Sequence, residues 1–297
     1  MTKTAFVAIV GKPNVGKSSL LNKMLGQKIA IVSSKPQTTR TKIMGVLTKG
    51  ETQLVFTDTP GFHKAHNKLG EKMNEAVGDT VGGVDACLFL TEPRGELNEQ
   101  ELQLLEMFKK QKMPVILAIN KIDMINDKEE LFKRIVYLTS FYDFKAVVPV
   151  SATEGDHVDE LIDELDKLAF ESPHFFPDDT LTDQPERVLA AEIIREKILR
   201  LMDKEIPHGI AVAVEKMRER DDKDILDIDA TIYCERESHK GMVIGKNGSM
   251  LKKVSTYARQ DLERLLEINV PFHCWEKVEE DWRNREGLIH NFGLDNK

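Results

Sequence analysis

Eight residues near the start of the chain have the types and the spacing that bind phosphate. The segment Gly11–Ser18 reads GKPNVGKS, which is a G-x-x-x-x-G-K-S motif. Its glycines let backbone N–H groups point inward and form a nest for an anion. The lysine of such a loop reaches the β- and γ-phosphates of a nucleotide, and the serine hydroxyl ligates Mg²⁺. We therefore predict that Lys17 binds phosphate and that Ser18 binds the metal. The rest of the predicted phosphate-binding set is Gly11, Lys12, Pro13, Asn14, Val15, Gly16 and Ser19.

Two further segments carry groups that could close over a terminal phosphate and its metal. Residues 33–40 read SSKPQTTR without periodicity, so we predict a mobile loop in which Thr39 binds Mg²⁺. Thr38 is the alternative ligand, and an ordinary polar connection is the alternative structure. In the later DTPG sequence, Asp58 is placed to hold Mg²⁺ through water, and Gly61 can offer its N–H to the γ-phosphate. The residues assigned to catalysis are thus Lys17, Thr39, Asp58 and Gly61, and the nucleotide is also expected to contact Thr59, Pro60 and Phe62.

An NKID sequence and a later SAT sequence indicate which base is bound. The Asp123 carboxylate can accept two hydrogen bonds from N1–H and the 2-amino group of guanine, whereas adenine presents an acceptor there and lacks the amino group. Asn120 can bond the other edge of the base, and the stem of Lys121 can lie along the ring. A backbone N–H of the SAT segment can donate to guanine O6. The predicted guanine-binding residues are Asn120, Lys121, Ile122, Asp123, Ser151, Ala152 and Thr153.

The spacing of apolar residues predicts the elements that position these groups. Predicted strands are 5–10, 42–48, 53–57, 85–90, 114–119 and 146–150, and predicted helices are 19–25, 98–110, 128–140 and 157–170. Alternation of apolar strands and amphipathic helices is typical of a parallel sheet covered on both faces. We therefore predict an α/β domain with a mostly parallel six-stranded sheet. Ligands of such sheets bind at the carboxyl ends of the strands, where all these motifs lie.

The second half of the chain has a different pattern. Residues 173–185 contain three prolines and little periodicity, which predicts a linker between a domain at 1–172 and another at 186–297. The predicted order in the second domain is helix 186–202, strands 209–217 and 225–234, helix 249–267, strand 269–275 and a terminal helix at 279–291. This mixture predicts a small α+β domain.

A GKNG loop lies between those strands and the long helix. Gly245 and Gly248 leave no bulk at the ends of the loop, so a nucleic-acid backbone can approach it. No acidic residue lies between Ser238 and Gln260, and the basic residues there are Lys240, Lys246, Lys252, Lys253 and Arg259. The loop and the element order resemble a type II KH domain, which implies binding of single-stranded RNA. The predicted RNA-binding residues are Gly241, Val243, Ile244, Gly245, Lys246, Asn247, Gly248 and Lys252; core packing is the alternative role for Met242, Val243 and Ile244.

Composition limits the class of protein. A chain of 297 residues with 41% hydrophobic residues can form one large or two medium domains. Its net charge of −8 argues against nucleic-acid binding by the whole surface, although not by a local patch. Three separated cysteines indicate reduced thiols, and no apolar run approaches the ~20 residues that span a bilayer. We therefore expect a cytosolic protein, and leave a peripheral membrane contact open.

Together these motifs resemble the translation-factor-related GTPases of the TrmE/Era/EngA group, and more closely the Era family. The resemblance extends over essentially the whole chain. It implies a monomer that hydrolyses GTP to GDP with Mg²⁺. It also implies binding near the 3′ end of 16S ribosomal RNA, a role in maturation of the 30S ribosomal subunit precursor, and partial association with the inner face of the cell membrane.

Two positions qualify the expected catalysis. Many small GTPases have a glutamine after the DxxG glycine that orients water, but Phe62 stands there in this chain. Intrinsic hydrolysis is therefore expected to be slow or to use another group. In related families an asparagine at the position of Asn14 helps to hold K⁺; here a role in the turn alone is the equal alternative.

Two rival functions remain at the level of sequence. One is an RNA-binding assembly factor whose nucleotide site is only structural, against which Lys17, Ser18 and Asp58 argue. The other is a different phosphate-loop enzyme, such as a kinase or an ATPase, against which the guanine-type NKID sequence argues.

Overall fold

A computed structural model describes residues 1–35, 37–61, 67–202, 206–221 and 223–294. Contacts divide the chain into two compact units. The first takes its described residues from Met1–Ala30, Thr39–Ala65 and Gly70–Asp183, and the second from Ile31–Thr38, His66–Leu69 and Gln184–Lys297.

The first unit is built on a mostly parallel sheet, as predicted. Its strands are β1 (Lys3–Gly11), β2 (Ile43–Lys49), β3 (Thr52–Asp58), β4 (Ala86–Thr91), β5 (Val115–Ile119), β6 (Ala146–Pro149) and β7 (Phe170–Glu171). The order is β2-β3-β1-β4-β5-β6, with β7 paired to the start of β1. Only β2 and β7 run antiparallel to their partners. Within the described part of the chain the sheet has seven strands rather than the predicted six, because the two-residue β7 is too short to show a periodic pattern.

Helices cover both faces of this sheet. They are α1 (Lys17–Leu25), α2 (Lys68–Gly82), α3 (Glu99–Gln111), α4 (Lys128–Thr139) and α5 (Val158–Asp166), with a 3₁₀ turn at Ile122–Met124. One face buries side chains of α1 and α5 against the strands, and the other buries those of α2, α3 and α4. Strands covered on both sides need apolar residues at successive positions, which explains the uninterrupted apolar runs. α2 was not predicted, and α5 ends four residues before its predicted end.

The segment predicted as a linker is packed against the first unit through its larger part. Val46 of β2 donates its N–H to Leu181 O at 2.9 Å. The Gln53 side chain of β3 accepts from Phe176 N at 3.0 Å and donates to Phe176 O at 2.9 Å. The contact boundary consequently falls between residues 183 and 184 rather than over 173–185.

The second unit is a three-stranded sheet with helices. Its helices are α6 (Glu186–Leu201), α7 (Glu237–Ile244), α8 (Ser249–Leu266) and α9 (Glu286–Asn291), and its strands are β8 (Ile210–Arg220), β9 (Lys223–Cys234) and β10 (Phe272–Val278). The order is β10-β9-β8, with β9 antiparallel to β8 and parallel to β10. The predicted order of elements is reproduced, with α7 added between β9 and the GKNG loop. β10 begins three residues later than predicted, and the predicted terminal helix begins only at Glu286.

A separate hydrophobic core fills the second unit between the sheet and α6, α7 and α8. Among the helices that the structure describes, none has the combined length and apolar character needed to cross a bilayer.

Candidate functional site

The phosphate loop connects β1 to α1. Gly16 has φ 105°, and a Cβ added there would lie 2.2 Å from Asn120 Nδ2, so only glycine fits. Lys17 is 6% exposed and its Nζ donates to Gly11 O and Lys12 O, both at 3.2 Å. Burial lowers the pKa of Lys17, and the charge of Asp58 partly offsets this. A buried ammonium thus lies over a curled backbone at a helix amino terminus, which is an arrangement that binds phosphate.

Three oxygen-bearing side chains meet beside this lysine. Ser18 Oγ donates to Asp58 Oδ2 at 2.6 Å and lies 2.9 Å from Thr39 Oγ1. Thr39 Oγ1 is 3.5 Å from the same carboxylate oxygen. Thr38 instead donates its hydroxyl to Lys35 O at 2.6 Å. Of the two threonines considered, the structure therefore brings Thr39 to Ser18 and Asp58.

The Asp58 carboxyl has the features of a site for a hard divalent cation. It is fully buried, and within the described residues its Oδ1 has no hydrogen-bond partner. Burial raises its pKa to about 6, against the opposing effects of the Lys17 charge and of hydrogen bonds from Ser18 and Thr39. Carboxylate and hydroxyl oxygens are the ligands that Mg²⁺ prefers, so these residues fit that ion.

The end of β3 continues into contact with the phosphate loop. Thr59 donates its hydroxyl to Ile9 O at 2.9 Å. A Cβ added at Gly61 would lie 2.8 Å from Pro13 Cα, so the backbone of the DTPG segment lies directly against the loop. Pro60, which lies between Thr59 and Gly61 in the chain, is buried. Phe62 falls outside the described residues, and the expectation attached to it stays a prediction.

The guanine loop is tied to its neighbours through Asn120. This side chain is 2% exposed; its Nδ2 donates to Val15 O at 2.8 Å and its Oδ1 accepts from Ala152 N at 3.0 Å. The sequence predicts that Asn120 bonds the base and that a backbone N–H of residues 151–153 bonds guanine O6. In the structure Asn120 contacts Val15 O and Ala152 N–H, and both contacts with the base stay predictions. Asn120 therefore joins the phosphate loop, the guanine loop and the loop after β6.

Asp123 and Lys121 occupy the open side of that loop. The Asp123 side chain is exposed, and its Oδ1 accepts from Ser151 Oγ at 2.6 Å. Lys121, which directly precedes Ile122 of the 3₁₀ turn, donates from Nζ to Asn14 O at 2.9 Å. The serine hydroxyl leaves the second carboxylate oxygen for another donor, and it orients the group that the sequence assigned to base recognition.

The GKNG loop of the second unit joins α7 to α8. Asn247 and Gly248 both have positive φ values, of 51° and 73°, and a Cβ added at Gly241 or Gly248 would meet no atom within 4 Å. The side chains of Lys246, Asn247 and Lys252 are exposed, while Ile244 and Gly245 are half-buried. An open, basic loop at a helix amino terminus can accept a phosphate backbone.

One predicted RNA-binding residue is corrected by the structure. Val243 is 0% exposed and belongs to the core between α7 and the sheet, so it does not form an accessible floor for RNA. The alternative role in core packing applies to it.

Sequence reasoning also missed Glu92, which follows β4 and lies between Lys12 and Lys121. Its signal was an acidic residue directly after a buried strand, at the carboxyl end of the sheet where Asp58 also lies.

Comparison with known protein families identifies both units. The model of the 50S ribosome-binding GTPase family matches residues 6–121, and a KH domain model matches residues 205–283. The GTPase Era of Clostridioides difficile (strain 630) is 49% identical over 297 residues, covering 100% of both chains. That of Ruminiclostridium cellulolyticum is 47% identical over 98% of this chain and 97% of its own.

Two solved structures resemble the whole chain. One is a single-residue variant of Aquifex aeolicus Era bound to GDP·AlF4⁻, and the other is Era in complex with MgGDPNP and nucleotides 1506–1542 of 16S ribosomal RNA. Each has a TM-score of 0.95 and 38% identity, with 99% of both chains covered. Full-length identity well above 30%, together with both domain matches, confirms the predicted family: the chain belongs to the Era family of GTPases.

Proposed function

We propose that this GTPase is a molecular switch that binds small-subunit ribosomal RNA near its 3′ end and assists assembly and maturation of the 30S subunit precursor. The observation that carries the nucleotide half is the meeting of Ser18, Thr39 and Asp58 beside the buried Lys17. These groups serve a nucleoside triphosphate and its metal, and a purely structural nucleotide site would not require them.

The metal of the proposed site is Mg²⁺. Ser18 and Thr39 would hold it directly, and Asp58 would hold it through water. The ion supplies positive charge against the β- and γ-phosphates when bound. Lys17 adds a second positive charge at the phosphate loop, and Gly61 offers its backbone N–H to the γ-phosphate. For Asn14, K⁺ binding and a role in the turn remain the two alternatives.

The RNA half of the proposal is supported by the relative that was solved with nucleotides 1506–1542 of 16S ribosomal RNA. This chain resembles it along 99% of its length. The GKNG loop adds local support, because it presents the exposed Lys246 and Lys252 at an open turn of a protein that is acidic overall. Phosphate contacts by lysine are the sequence-independent part of such binding.

We propose that GTP alters the second unit through the loop that carries Thr39. The preceding residues, Ile31–Thr38, group with the second unit. Within that unit Val32 N donates to Glu196 Oε1 at 2.9 Å, and Arg195 donates to Thr38 O. Ordering of Thr39 around a metal would shift Thr38, the preceding residue in the chain. Because Arg195 of α6 donates to Thr38 O, the shift would reach α6 as well.

We place the protein in the cytoplasm as a monomer. A peripheral contact with the inner face of the cell membrane would be a separate property; flotation of the purified chain with anionic vesicles tests it.

Binding of a synthetic RNA with the sequence of nucleotides 1506–1542 tests both halves of the proposal. Wild-type protein should hydrolyse GTP with multiple turnovers and bind the RNA with an affinity that differs between GDPNP and GDP. Lys17→Ala should weaken GTP binding severely without unfolding the chain. Gly248→Asp should weaken RNA binding, because bulk and negative charge enter the loop, while GTP hydrolysis persists.

Specific results would contradict the nucleotide-binding part or the RNA-binding part of the proposal. Unchanged GTP affinity of Lys17→Ala would refute the phosphate role, and RNA affinity of Gly248→Asp within about twofold of the wild type would place the RNA elsewhere. Displacement of bound GTP by excess ATP would favour the rival class of kinases and ATPases.

A further inference from the structure

Glu92 lies between the two nucleotide-binding loops of the first unit. It is the first residue after β4, and its side chain is 27% exposed. Its Oε1 lies 2.5 Å from Lys121 Nζ, and its Oε2 pairs with Lys12 Nζ. One carboxylate therefore bridges a cation of the phosphate loop and a cation of the guanine loop.

The electrostatics of this bridge favour the ionised form. Burial by itself would raise the pKa of the Glu92 carboxyl, but hydrogen bonds and charges from Lys12 and Lys121 outweigh it, and the pKa lies below its ordinary value. Hydrogen bonds between ionised partners are about twice as strong as those between neutral groups. The bridge is thus a charged contact on both sides at neutral pH.

A buried arginine holds the backbone on which Glu92 stands. Arg134 of α4 is 8% exposed; its Nε donates to Glu92 O at 3.0 Å and its Nη1 donates to Gly95 O. The guanidinium also lies 5.3 Å from the centre of the Tyr137 ring. The turn after β4 is therefore anchored at both ends, and the carboxylate is presented in a defined place.

Lys121 makes its second contact with a strained part of the phosphate loop. Its Nζ donates to the carbonyl of Asn14, and both residues have positive φ values, 62° for Asn14 and 66° for Lys121. Such values are unfavourable for a residue with a side chain. A strained pair persists only where its surroundings hold it, and Glu92 supplies the charged part of that support.

We propose that Glu92 is a positioning residue for guanine nucleotide binding, which holds Lys121 and Lys12 so that the guanine loop and the phosphate loop are assembled before the nucleotide arrives. This inference rests on the proposed function, since Lys121 acts on the ligand only if its stem lies along the bound guanine. Glu92 itself touches no nucleotide in this proposal. Its effect passes through the lysines.

The proposal predicts different effects on the rate constants for nucleotide dissociation and nucleotide association. Without the carboxylate charge, Lys121 keeps only neutral hydrogen-bond acceptors, so a bound nucleotide should leave faster. The two lysines would also lose their counter-charge, and the approach of an anionic nucleotide should be no slower than before. A merely structural role would lower the active fraction of protein but would not produce this split.

Stopped-flow fluorescence with mant-GDP and Mg²⁺ measures both rate constants in the full chain. For Glu92→Gln we expect about tenfold faster dissociation, the size of one lost charge-assisted hydrogen bond, with association equal to or faster than in the wild type. The matched control is Glu130→Gln. Glu130 also loses a two-contact pairing, with Arg94 at 2.5 and 3.0 Å, but contacts neither nucleotide loop, so both rate constants should stay at wild-type values.

A double-mutant cycle with Lys121→Met identifies the path. If Glu92 acts through Lys121, adding Glu92→Gln to Lys121→Met should change dissociation by less than about twofold. If the two substitutions instead multiply the dissociation rate constant independently, the proposal is overturned. It is also overturned if nucleotide dissociates from Glu92→Gln within about twofold of the wild-type rate. Should Glu92→Gln fail to fold, Glu92→Asp carries the same criteria, since it keeps the charge but shortens the reach.

The outcomes also distinguish this inference from the proposed function. Wild-type protein that does not bind mant-GDP would refute the nucleotide site itself. Tight wild-type binding with an unaffected Glu92→Gln variant would refute the role of Glu92 alone.

Discussion

Single residues of the guanine loop carry different tasks that a tetrapeptide motif does not distinguish. Asn120 is buried, and both polar atoms of its side chain form hydrogen bonds with neighbouring loops. Asp123 is exposed, and a hydrogen bond from Ser151 orients it. Base selection should therefore depend on Asp123, and integrity of the site on Asn120. The buried amide has no substitute of equal shape that keeps both a donor and an acceptor.

Asp123→Asn should move the base preference from guanine toward xanthine. An amide can donate to the 2-oxo group of xanthine, whereas the carboxylate accepts from the 2-amino group of guanine. Competition of GTP and XTP for the mant-GDP site measures the preference. Ser151→Ala is the control: it should weaken binding roughly fivefold through loss of one hydrogen bond but keep the preference for guanine. An Asp123→Asn variant that still selects GTP would contradict the assignment.

His239 should make the second unit sensitive to acid. It is 9% exposed; burial, followed by the charge of Arg236, lowers its pKa, and Glu235 opposes the shift. Because the folded-state pKa lies below the ordinary 6.5, the unfolded chain takes up the proton more readily as the pH falls. Stability that is present above pH 6.5 should therefore be lost progressively below it.

Thermal unfolding at pH 7.5 and 5.5 checks this sign. His239→Gln should lose less stability on acidification than the wild type. His174→Gln should do the opposite, because a hydrogen bond to Asp178 and another to Glu51 O raise the pKa of His174. Equal acid sensitivity of the wild type and His239→Gln would show that another group is responsible.

At the scale of elements, an ion network joins α6 to the long helix that follows the GKNG loop. Lys197 of α6 is 8% exposed, contacts Glu196 Oε2 at 2.9 Å and pairs with Asp261 of α8. Glu196 is fully buried. Burying a carboxylate is costly unless a cation and hydrogen bonds compensate it, so the network makes the packing of these two helices depend on Lys197.

Lys197→Met should destabilise the second unit by about 2 kcal/mol, because it removes the buried cation that pairs with Glu196 and Asp261 and leaves Glu196 with the half-exposed Arg200 as its cation. Both tryptophans, Trp275 and Trp282, lie in the second unit, so urea unfolding followed by tryptophan fluorescence reports on that unit. Lys277→Met on the exposed face of β10 should cost little. A loss below about 1 kcal/mol for Lys197→Met would mean that solvent compensates the carboxylates.

Elements with long periodic patterns could be predicted from sequence, and short or irregular ones could not. α3, α4, α6 and α8 lie within one or two residues of their predicted bounds, because each has apolar positions at helical spacing. α2 also has that spacing, at Leu69, Met73, Ala76 and Val77, so its signal was present but not used. The terminal helix starts late because Asp281 has a positive φ of 54°, which interrupts the pattern.

Some features of the candidate site could likewise be predicted from the sequence, and others could not. Motif spacing was sufficient to predict which residues gather at the carboxyl ends of the strands. It could not predict the Ser151–Asp123 contact or the bridge through Glu92, because these join side chains from loops that are distant in sequence. Burial of Val243 likewise depends on packing against the sheet rather than on local sequence.

At the scale of the whole molecule, the two units have separate hydrophobic cores. Leu88 and Phe89 belong to the clusters of the first unit, and Ile228 and Ile232 to that of the second. A ligand that binds only the folded first unit should therefore stabilise that unit selectively.

The buried cysteines provide the measurement. Cys87 in the first unit and Cys234 in the second are each 0% exposed, and burial raises the pKa of each thiol to about 12. Both should be labelled only after opening. Mg²⁺ and GDP at about 100 times Kd should slow labelling of Cys87 roughly 100-fold, by linkage, and leave Cys234 unchanged, as mass spectrometry of the two peptides can show. Equal protection of both thiols would mean that the units open together.

The amide of Asn120 touches Val15 O and Ala152 N, and it also fills the place that a side chain at position 16 would take. A chain that exchanges this asparagine must accordingly change several distant positions at once to stay functional. Stepwise exchange of this asparagine during evolution is therefore difficult, because every single-step intermediate at position 120 would lose its contacts with the phosphate loop and with the loop after β6 together.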